Sequence, residues 1–359
     1  MRKVLAFDLG GTKIAFGIVA EDGSVLKSDR VETLASKGPA QAIERAVEGA
    51  KKLLQELKLK PSDLLGVGIA SPGPLDISRG CVDGSPNLPG WSGYSIEGEI
   101  SKAFGLPARI DNDANAAALG EYLFGAGRGK RNLVYVTIST GIGGGVIVDG
   151  KLMRGANGNA AELGHLTLDI KGPSCPCGGN GCFEVMASGT AIARRTREAL
   201  AAGASSKILT LAGTADAVTT HHVLQALAEK DALAVKIWDE TTEYLGRGLA
   251  VIINTFNPEM IVVGGGVTAA GDVLFAPMRT KALKYAFPRL AAVCTIVPAG
   301  LGGDVGVVGA AACAFEAAQK NQSRCRFQRG IGNTVNLSDD TSTASRGRSA
   351  RACSSVTIS

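Results

Sequence analysis

Leu5 to Leu26 read LAFDLGGTKIAFGIVAEDGSVL, and Leu133 to Leu152 read LVYVTISTGIGGGVIVDGKL. Both stretches run apolar strand, Gly-rich turn, apolar strand, Asp-Gly turn. The apolar residues after the glycines alternate as in a strand, so each copy is a hairpin. A dinucleotide-binding fingerprint would instead need its glycines to open a helix. Two copies of one hairpin imply an α/β protein of two like domains facing a cleft.

The turns carry chemistry. In the first, the backbone N–H groups of Gly10, Gly11 and Thr12 can converge on an anion because the glycines have no Cβ to shield them. Lys13 adds positive charge, and Asp8 has a purpose beside such a nest if it helps to hold Mg²⁺, directly or through water. A lone Gly-Gly turn is more often a plain hairpin turn, but Thr140, Gly141, Gly143 and Gly144 repeat the same chemistry in the second copy. A P-loop is excluded, since Gly129-Lys130 and Gly150-Lys151 are followed by Arg131 and Leu152 rather than by Ser or Thr. A third glycine run, Gly264, Gly265 and Gly266, ends the apolar strand NPEMIVV and leaves a turn open enough for a flat ligand to approach the backbone.

Between Glu162 and Glu184 the chain reads ELGHLTLDIKGPSCPCGGNGCFE. His165, Cys175, Cys177 and Cys182 supply the four ligands that tetrahedral Zn²⁺ prefers, and a closed Cys₃His shell has no open position for an activated water. The ion expected here is therefore structural, and its work is to fix a loop that presents substrate-binding side chains. Free thiols or a disulfide are the competing reading. The cluster of two cysteines one residue apart, with a third five residues on, argues against it.

The remaining elements fall around these motifs. A helix is expected from Pro39 to about Lys58, with Pro in its first turn and Ile43, Val47, Leu53, Leu54 and Leu57 on one face. LLGVGIASPGPLD reads as a buried strand entering a Gly/Pro turn. Asn87, with Trp91, lies in a later loop, where an asparagine is by default a turn residue. In RIDNDAN a short strand meets an alanine-rich helix near Asp113. Asp111, Asn112 and Asp113 suit a helix cap, yet a carboxylate there also meets the carboxyl edge of a parallel sheet, where a base could take a proton from a hydroxyl. Residues 215 to 256 read as helices, with His221 and His222 in a polar, solvent-facing connection, and a last small-residue helix is expected near Asp304.

Composition bounds the function. The 359 residues suit about two domains, and 45% hydrophobic residues can fill their cores. No apolar run reaches the roughly 20 residues of a membrane span. The first residues, MRKVLAFD, enter a strand directly, so a cytoplasmic protein with reduced thiols is expected. Of the net charge of +5, the stretch from Asn321 to Ser359 holds +4 through six Arg against Asp339 and Asp340. The body is nearly neutral, which gives no electrostatic footprint for nucleic acid. The tail, rich in Ser, Thr, Arg and Gly, is expected to be disordered.

DLGGTK at Asp8 to Lys13, the SPGP turn, NDAN at Asn112 to Asn115, STGIGGG, ELGH and CPCGGNGC-FE, taken in this order, resemble the ROK family of sugar kinases over roughly residues 1 to 320. The resemblance implies an actin-like (ribonuclease H-like) two-domain ATPase fold with a cleft between domains. Its implied division is a small domain over 1–118, completed by a helix over 304–320, and a larger domain over 119–303 that holds the zinc loop 165–184. It implies ATP with Mg²⁺ as phosphoryl donor and the 6-hydroxyl of a hexose, glucose first, as acceptor. By motif position Asp113 corresponds to the catalytic base, and Asn112, Glu162, His165 and Glu184 to sugar ligands, together with Gly73 and Asn87. His165 then serves zinc with one ring nitrogen and sugar with the other, so the metal fixes the tautomer and place of a substrate ligand. A dimer or tetramer is expected. N-acetylmannosamine, fructose or mannose are the runner-up acceptors. A sugar-sensing repressor is the alternative of another class, disfavoured because only seven residues precede Asp8. Where the family has glycine before the Glu of its GH motif, this chain has Ala161.

Overall fold

The computed structural model describes residues 1–332, with side chains described through Lys320. Through Ala318 the chain forms one packed unit built on two five-stranded sheets. The first hairpin gives β1 (Lys3–Leu9) and β2 (Lys13–Ala20), extended by β3 (Val25–Glu32). After α1 (Pro39–Glu56) come β4 (Val67–Ser71), the small pair β5 (Leu75–Asp76) and β6 (Cys81–Val82), α2 (Ile96–Phe104), β7 (Ala108–Asn112) and α3 (Asp113–Leu123). The second hairpin is β8 (Leu133–Ile138) and β9 (Ile142–Val148), followed by β10 (Lys151–Leu152). Helices α4 (Phe183–Ala187), α5 (Gly189–Ala201), α6 (Lys207–Ala212), α7 (Thr220–Ala228) and α8 (Ala232–Phe256) precede β11 (Met260–Gly264). Then come α9 (Asp272–Tyr285), α10 (Pro288–Ala291), β12 (Thr295–Pro298) and α11 (Val305–Gly332).

The strand orders are β3-β2-β1-β4-β7 and β10-β9-β8-β11-β12, one topology twice. In each sheet the hairpin is antiparallel, closed by Leu9 opposite Ile14 and by Ile138 opposite Ile142, and the two later strands join in parallel. The repeat visible in the sequence is thus a repeat of sheets.

Strand alternation then builds three cores. Leu5, Phe7 and Leu9 point to one side with α1 and α2, and Val134, Val136 and Ile138 point into the large helical core around α8. The opposite faces, Val4 and Ala6 from β1 and Leu133 and Tyr135 from β8, share a third core with the alanines of α3 and α11. Burying a Phe or Leu side chain contributes about 1.5–3 kcal/mol. Phe7, fully buried and 6.1 Å from the rings of both Phe16 and Phe104, is such an anchor.

Helices α3 and α11 pack into the core between the sheets through their runs of small residues, Ala116–Ala118 and Gly309–Ala312. A β-carbon on Gly309 would come within 2.7 Å of the Ala116 backbone, so the helices cross at backbone contact. At the far end of α3 the fully buried Glu121 accepts N–H bonds from Ala126 (2.8 Å), Gly300 (3.0 Å) and Leu301 (2.9 Å), which satisfies its charge and fastens the entry to α11.

Helix α11 outruns the expected end at 320. It runs on to Gly332, and NQSRCRFQR holds no proline or glycine to stop a helix before Gly330. The rest of the expected tail, 333–359, lies outside the described residues. Among the described residues no helix is long and apolar enough to cross a membrane.

Candidate active site and metal cluster

β7 ends at Asn112 and α3 starts at Asp113, which fixes the position of the carboxylate suggested by sequence. The Asn112 side chain caps the helix, accepting from Ala114 N (2.9 Å) and Asn115 N (3.3 Å). Asp113 therefore need not cap, although its Oδ1 accepts from Ala114 N at 2.7 Å. Its side chain opens to solvent in the cleft, but the surrounding protein leaves it little bulk water. That desolvation pushes its pKa from 3.8 up to about 6, with the Ala114 N–H pulling it down and the charges of Asp8 and Glu162 adding to the rise. Asp8 is also raised to about 6 by burial, against the opposing pull of Lys13. The charges of Asp8 and Glu162 therefore both act on Asp113.

Asp111, the other carboxylate at this junction, is fully buried and fully used. It accepts from Asn112 N and Asn115 Nδ2 through Oδ1 and from Arg154 Nε through Oδ2, at 2.9, 3.1 and 2.8 Å. Its oxygens have no room for a substrate proton.

The first turn is tighter than a three-amide nest. Gly10 N–H already donates to Lys13 O (2.9 Å) and the Gly10 carbonyl accepts from Thr33 Oγ1 (2.6 Å), so the amides left to face a ligand are those of Gly11 and Thr12. A β-carbon on Gly11 would sit 2.7 Å from the Asn87 carbonyl oxygen, which brings the Asn87 loop onto this turn. Trp91 anchors that loop from full burial. Gly73 lies on the other flank, where a β-carbon would be 2.9 Å from Asn112 Nδ2.

In the second copy the turn is Ser139–Gly141, and Gly143 and Gly144 are moved out of it. They are strand residues of β9, opposite Thr137 and Val136. Their missing side chains serve packing, since a β-carbon on Gly143 would be 3.3 Å from Ala114 Cβ and one on Gly144 would enter the Leu163 side chain. Thr140 O accepts from Thr190 Oγ1 at 2.7 Å, and Glu184 Oε2 accepts the Ile142 N–H at 2.8 Å. Of the four residues expected at this turn, Thr140 and Gly141 lie in it, and Glu184 ties it to the Cys-rich loop.

The four expected metal ligands come together. The His165 nitrogen and the three sulfurs all lie within 4.8 Å of one another, with Cys175 Sγ to His165 Nδ1 at 3.5 Å and Cys177 Sγ to Cys182 Sγ at 3.6 Å. Zn–S bonds of about 2.3 Å in a tetrahedron need sulfurs about 3.8 Å apart, so the donor set fits zinc. Nδ1 faces the sulfurs, which leaves Nε2 as the nitrogen turned away. Glu162, raised by desolvation, feels both His165, which lowers its pKa, and Glu184, which raises it.

A pocket of about 490 Å³ opens beside the second turn, lined by Ser139, Thr140, Gly189, Thr190, Arg197, Thr219, Thr220, His221, Gly266 and Val267 among others. It lies at the N-termini of α5 and α7, which favour negative charge. Gly265 takes φ 91°, which only glycine adopts freely, and a β-carbon on Gly264 would be 2.5 Å from the Tyr135 hydroxyl, so the Gly264–Gly266 turn hugs β8. His221 is exposed, as expected of a solvent-facing residue, and it also lines this pocket. His222 instead accepts Thr219 N–H through Nδ1 at 3.2 Å, closing the α7 cap. Sequence reasoning did not bring Thr190, Arg197 and His221 to this pocket, since residues about 50 to 80 positions from the second turn meet it only through tertiary packing.

Ala161 takes φ 69°, a left-handed conformation that a β-carbon disfavours. Ala161→Gly should raise stability by roughly 0.5–1 kcal/mol, read as a higher urea midpoint at unchanged slope. A lower midpoint would place residue 161 outside the left-handed region.

The ROK family pattern matches residues 4–317. A glucokinase from Thermotoga maritima is 40% identical over 309 residues, covering 86% of this chain and 96% of the relative. The crystal structure of a ROK family glucokinase from Streptomyces griseus in complex with glucose and AMPPNP is 34% identical, with a TM-score of 0.73, covering 86% of this chain and 98% of that one. A xylose repressor from Bacillus spizizenii is 30% identical over 312 residues, covering 87% of this chain and 77% of the repressor.

Proposed function

The chain belongs to the ROK family and has its actin-like fold, and we propose that it transfers the γ-phosphoryl group of ATP to the 6-hydroxyl of glucose, yielding glucose 6-phosphate and ADP. One observation carries this reading: Asp113, with its pKa near 6, opens into the cleft between the first turn and the Glu162–His165 segment.

In this mechanism Asp113 accepts the proton of the 6-hydroxyl as that oxygen bonds to phosphorus, a contribution of roughly 10²- to 10⁴-fold. At neutral pH it is largely ionised and still more basic than an ordinary carboxylate. Asn112, Glu162, His165 through Nε2, and Glu184 through Oε1 hold the sugar hydroxyls, with Gly73 and Asn87 at the rim. The nucleoside occupies the pocket at Thr140 and Gly266, and the phosphates extend toward the amides of Gly141, Gly11 and Thr12 and toward Lys13. Asp8, beside that path, is the carboxylate that would hold Mg²⁺. When bound, the ion would supply positive charge against the phosphates being transferred. His165, Cys175, Cys177 and Cys182 would hold zinc, whose contribution is a fixed position for the imidazole. The lobes 1–118 and 119–303 closing on the cleft would exclude water as a competing acceptor.

The test is ADP release from ATP-Mg²⁺ across glucose, mannose, fructose, glucosamine, N-acetylglucosamine and N-acetylmannosamine. The expected result is a clear preference for glucose. Preference for another hexose keeps the chemistry and replaces the acceptor. Sugar binding without turnover, from folded zinc-loaded protein, would favour a sugar sensor, the second reading that the likeness to a xylose repressor supports.

A further inference from the structure

The stretch from Arg154 to Glu162 leaves the second sheet after β10 and makes side-chain bonds to β7 of the first sheet, to β5 and to α11. Arg154, whose side chain is 16% exposed, donates from Nε to Asp111 Oδ2 (2.8 Å) and from Nη2 to Glu316 Oε2 on α11 (2.7 Å). Five residues on, Asn159 clamps one backbone residue of the first half. Its Oδ1 accepts from Leu75 N (3.1 Å) and its Nδ2 donates to Leu75 O (3.0 Å), as a neighbouring strand would. Gly158, at φ 92°, lies so close to Ile77 that a β-carbon there would overlap it.

Both anchor points flank the proposed base. Asp111 holds Asn112 N and Asn115 Nδ2, the residues on either side of Asp113 and its first helical turn. Leu75 is two residues past Gly73, which abuts Asn112 Nδ2. Three residues after Asn159 the same stretch supplies Glu162. We propose that Arg154–Glu162 is a strap that sets the sugar-holding side of the second sheet in register with the base on the first, with Arg154 and Asn159 as positioning residues. The strap gains its specificity from directional bonds, since a buried ion pair adds little stability over apolar packing of equal volume. Reacting groups displaced by about 1 Å can lose about 10²-fold in rate, so a fixed register has catalytic value.

The proposal rests on the sugar-kinase reading, and its test separates the two. Asn159→Ala removes the clamp without stranding a charge. Arg154→Lys keeps a cation beside Asp111 but cannot reach both carboxylates. In the full-length, zinc-loaded protein each variant should lower kcat/KM for glucose by about 10- to 100-fold and weaken glucose binding measured by calorimetry without nucleotide. KM for ATP should stay within about twofold. A purely structural staple would lower melting temperature and active fraction together and leave the glucose Kd of the folded molecules unchanged; that result overturns the strap. A wild type that binds glucose without turning it over removes the kinase reading while its Kd still decides the strap. A wild type that binds no hexose overturns both.

Discussion

Asp113→Asn is expected to cut turnover by roughly 10²- to 10⁴-fold, with glucose and ATP binding little changed, and at the same time to raise the melting temperature at pH 7.5. The two effects have one cause. The folded protein holds the Asp113 carboxyl at about 6 against an ordinary 3.8, because burial penalises its charged form. Between those values the folded state binds the proton that the unfolded state has released, so stability falls as pH rises through this window. Above about pH 6 the full penalty for the anion is present, and below about pH 4 it is gone. Asparagine removes the charge, so the gain in melting temperature should be largest above pH 6 and should vanish in acid. The cleft admits water to this side chain, which screens the penalty and keeps the gain modest. On the kinetic side, kcat/KM of the wild type should fall as pH drops through about 6. Asp8 has a similar pKa and its charge acts on Asp113, so that limb belongs to the pair. Near-normal turnover of Asp113→Asn would move the base elsewhere, and Asp111, with both oxygens bonded, could not replace it. A lower melting temperature at pH 7.5 would show that the ionised carboxylate is favoured by the fold.

What could be read from the sequence was local chemistry in a repeated order. The duplicated hairpin translated directly into two sheets of the same strand order because strand, turn and alternation are properties of a dozen neighbouring residues. The Cys₃His set and the head of α3 were legible for the same reason. Gly143 and Gly144 were not, because glycine in a turn and glycine in a strand groove look alike until the partner is known. Here the partners are Ala114 of α3 and Leu163. Arg154 and Asn159 were invisible altogether: their bonds span 43, 162 and 84 residues, and nothing in the stretch RGANGN hints at a destination. His221 was read as solvent-facing and is exposed, but that it also lines a pocket shared with the second hairpin depends on tertiary packing and could not be read locally.

Cys177→Ser is expected to remove the metal and the sugar site together. Cys177 is the exposed member of the cluster, so the substitution leaves no cavity in a core, and what it removes is a thiolate that zinc prefers to a hydroxyl. Metal content by atomic absorption should fall from about one zinc per chain, the content of a closed four-ligand site, toward none. The loop has little else to hold it. Its inner turn rests on backbone bonds such as Cys175 N to Gly179 O (2.8 Å) and Gly178 N to Cys175 O (3.0 Å). Ile170 is 80% exposed, and between it and the cysteines the loop buries little besides Cys175, Gly181 and Cys182. His165 would then be free to rotate, and KM for glucose should rise by at least about 10-fold, the lower end of what loss of an orienting partner costs at metal sites. KM for ATP should move far less, because its proposed pocket is built from α5, α7 and the Gly266 turn, away from the cluster. Cys294→Ser, at a buried thiol outside the cluster, is the control that should keep both metal and glucose affinity. An active, metal-free Cys177→Ser with unchanged glucose KM would mean that the four side chains gather as reduced thiols and an imidazole, and that the loop takes its shape from Leu163, Phe183 and its backbone bonds without an ion.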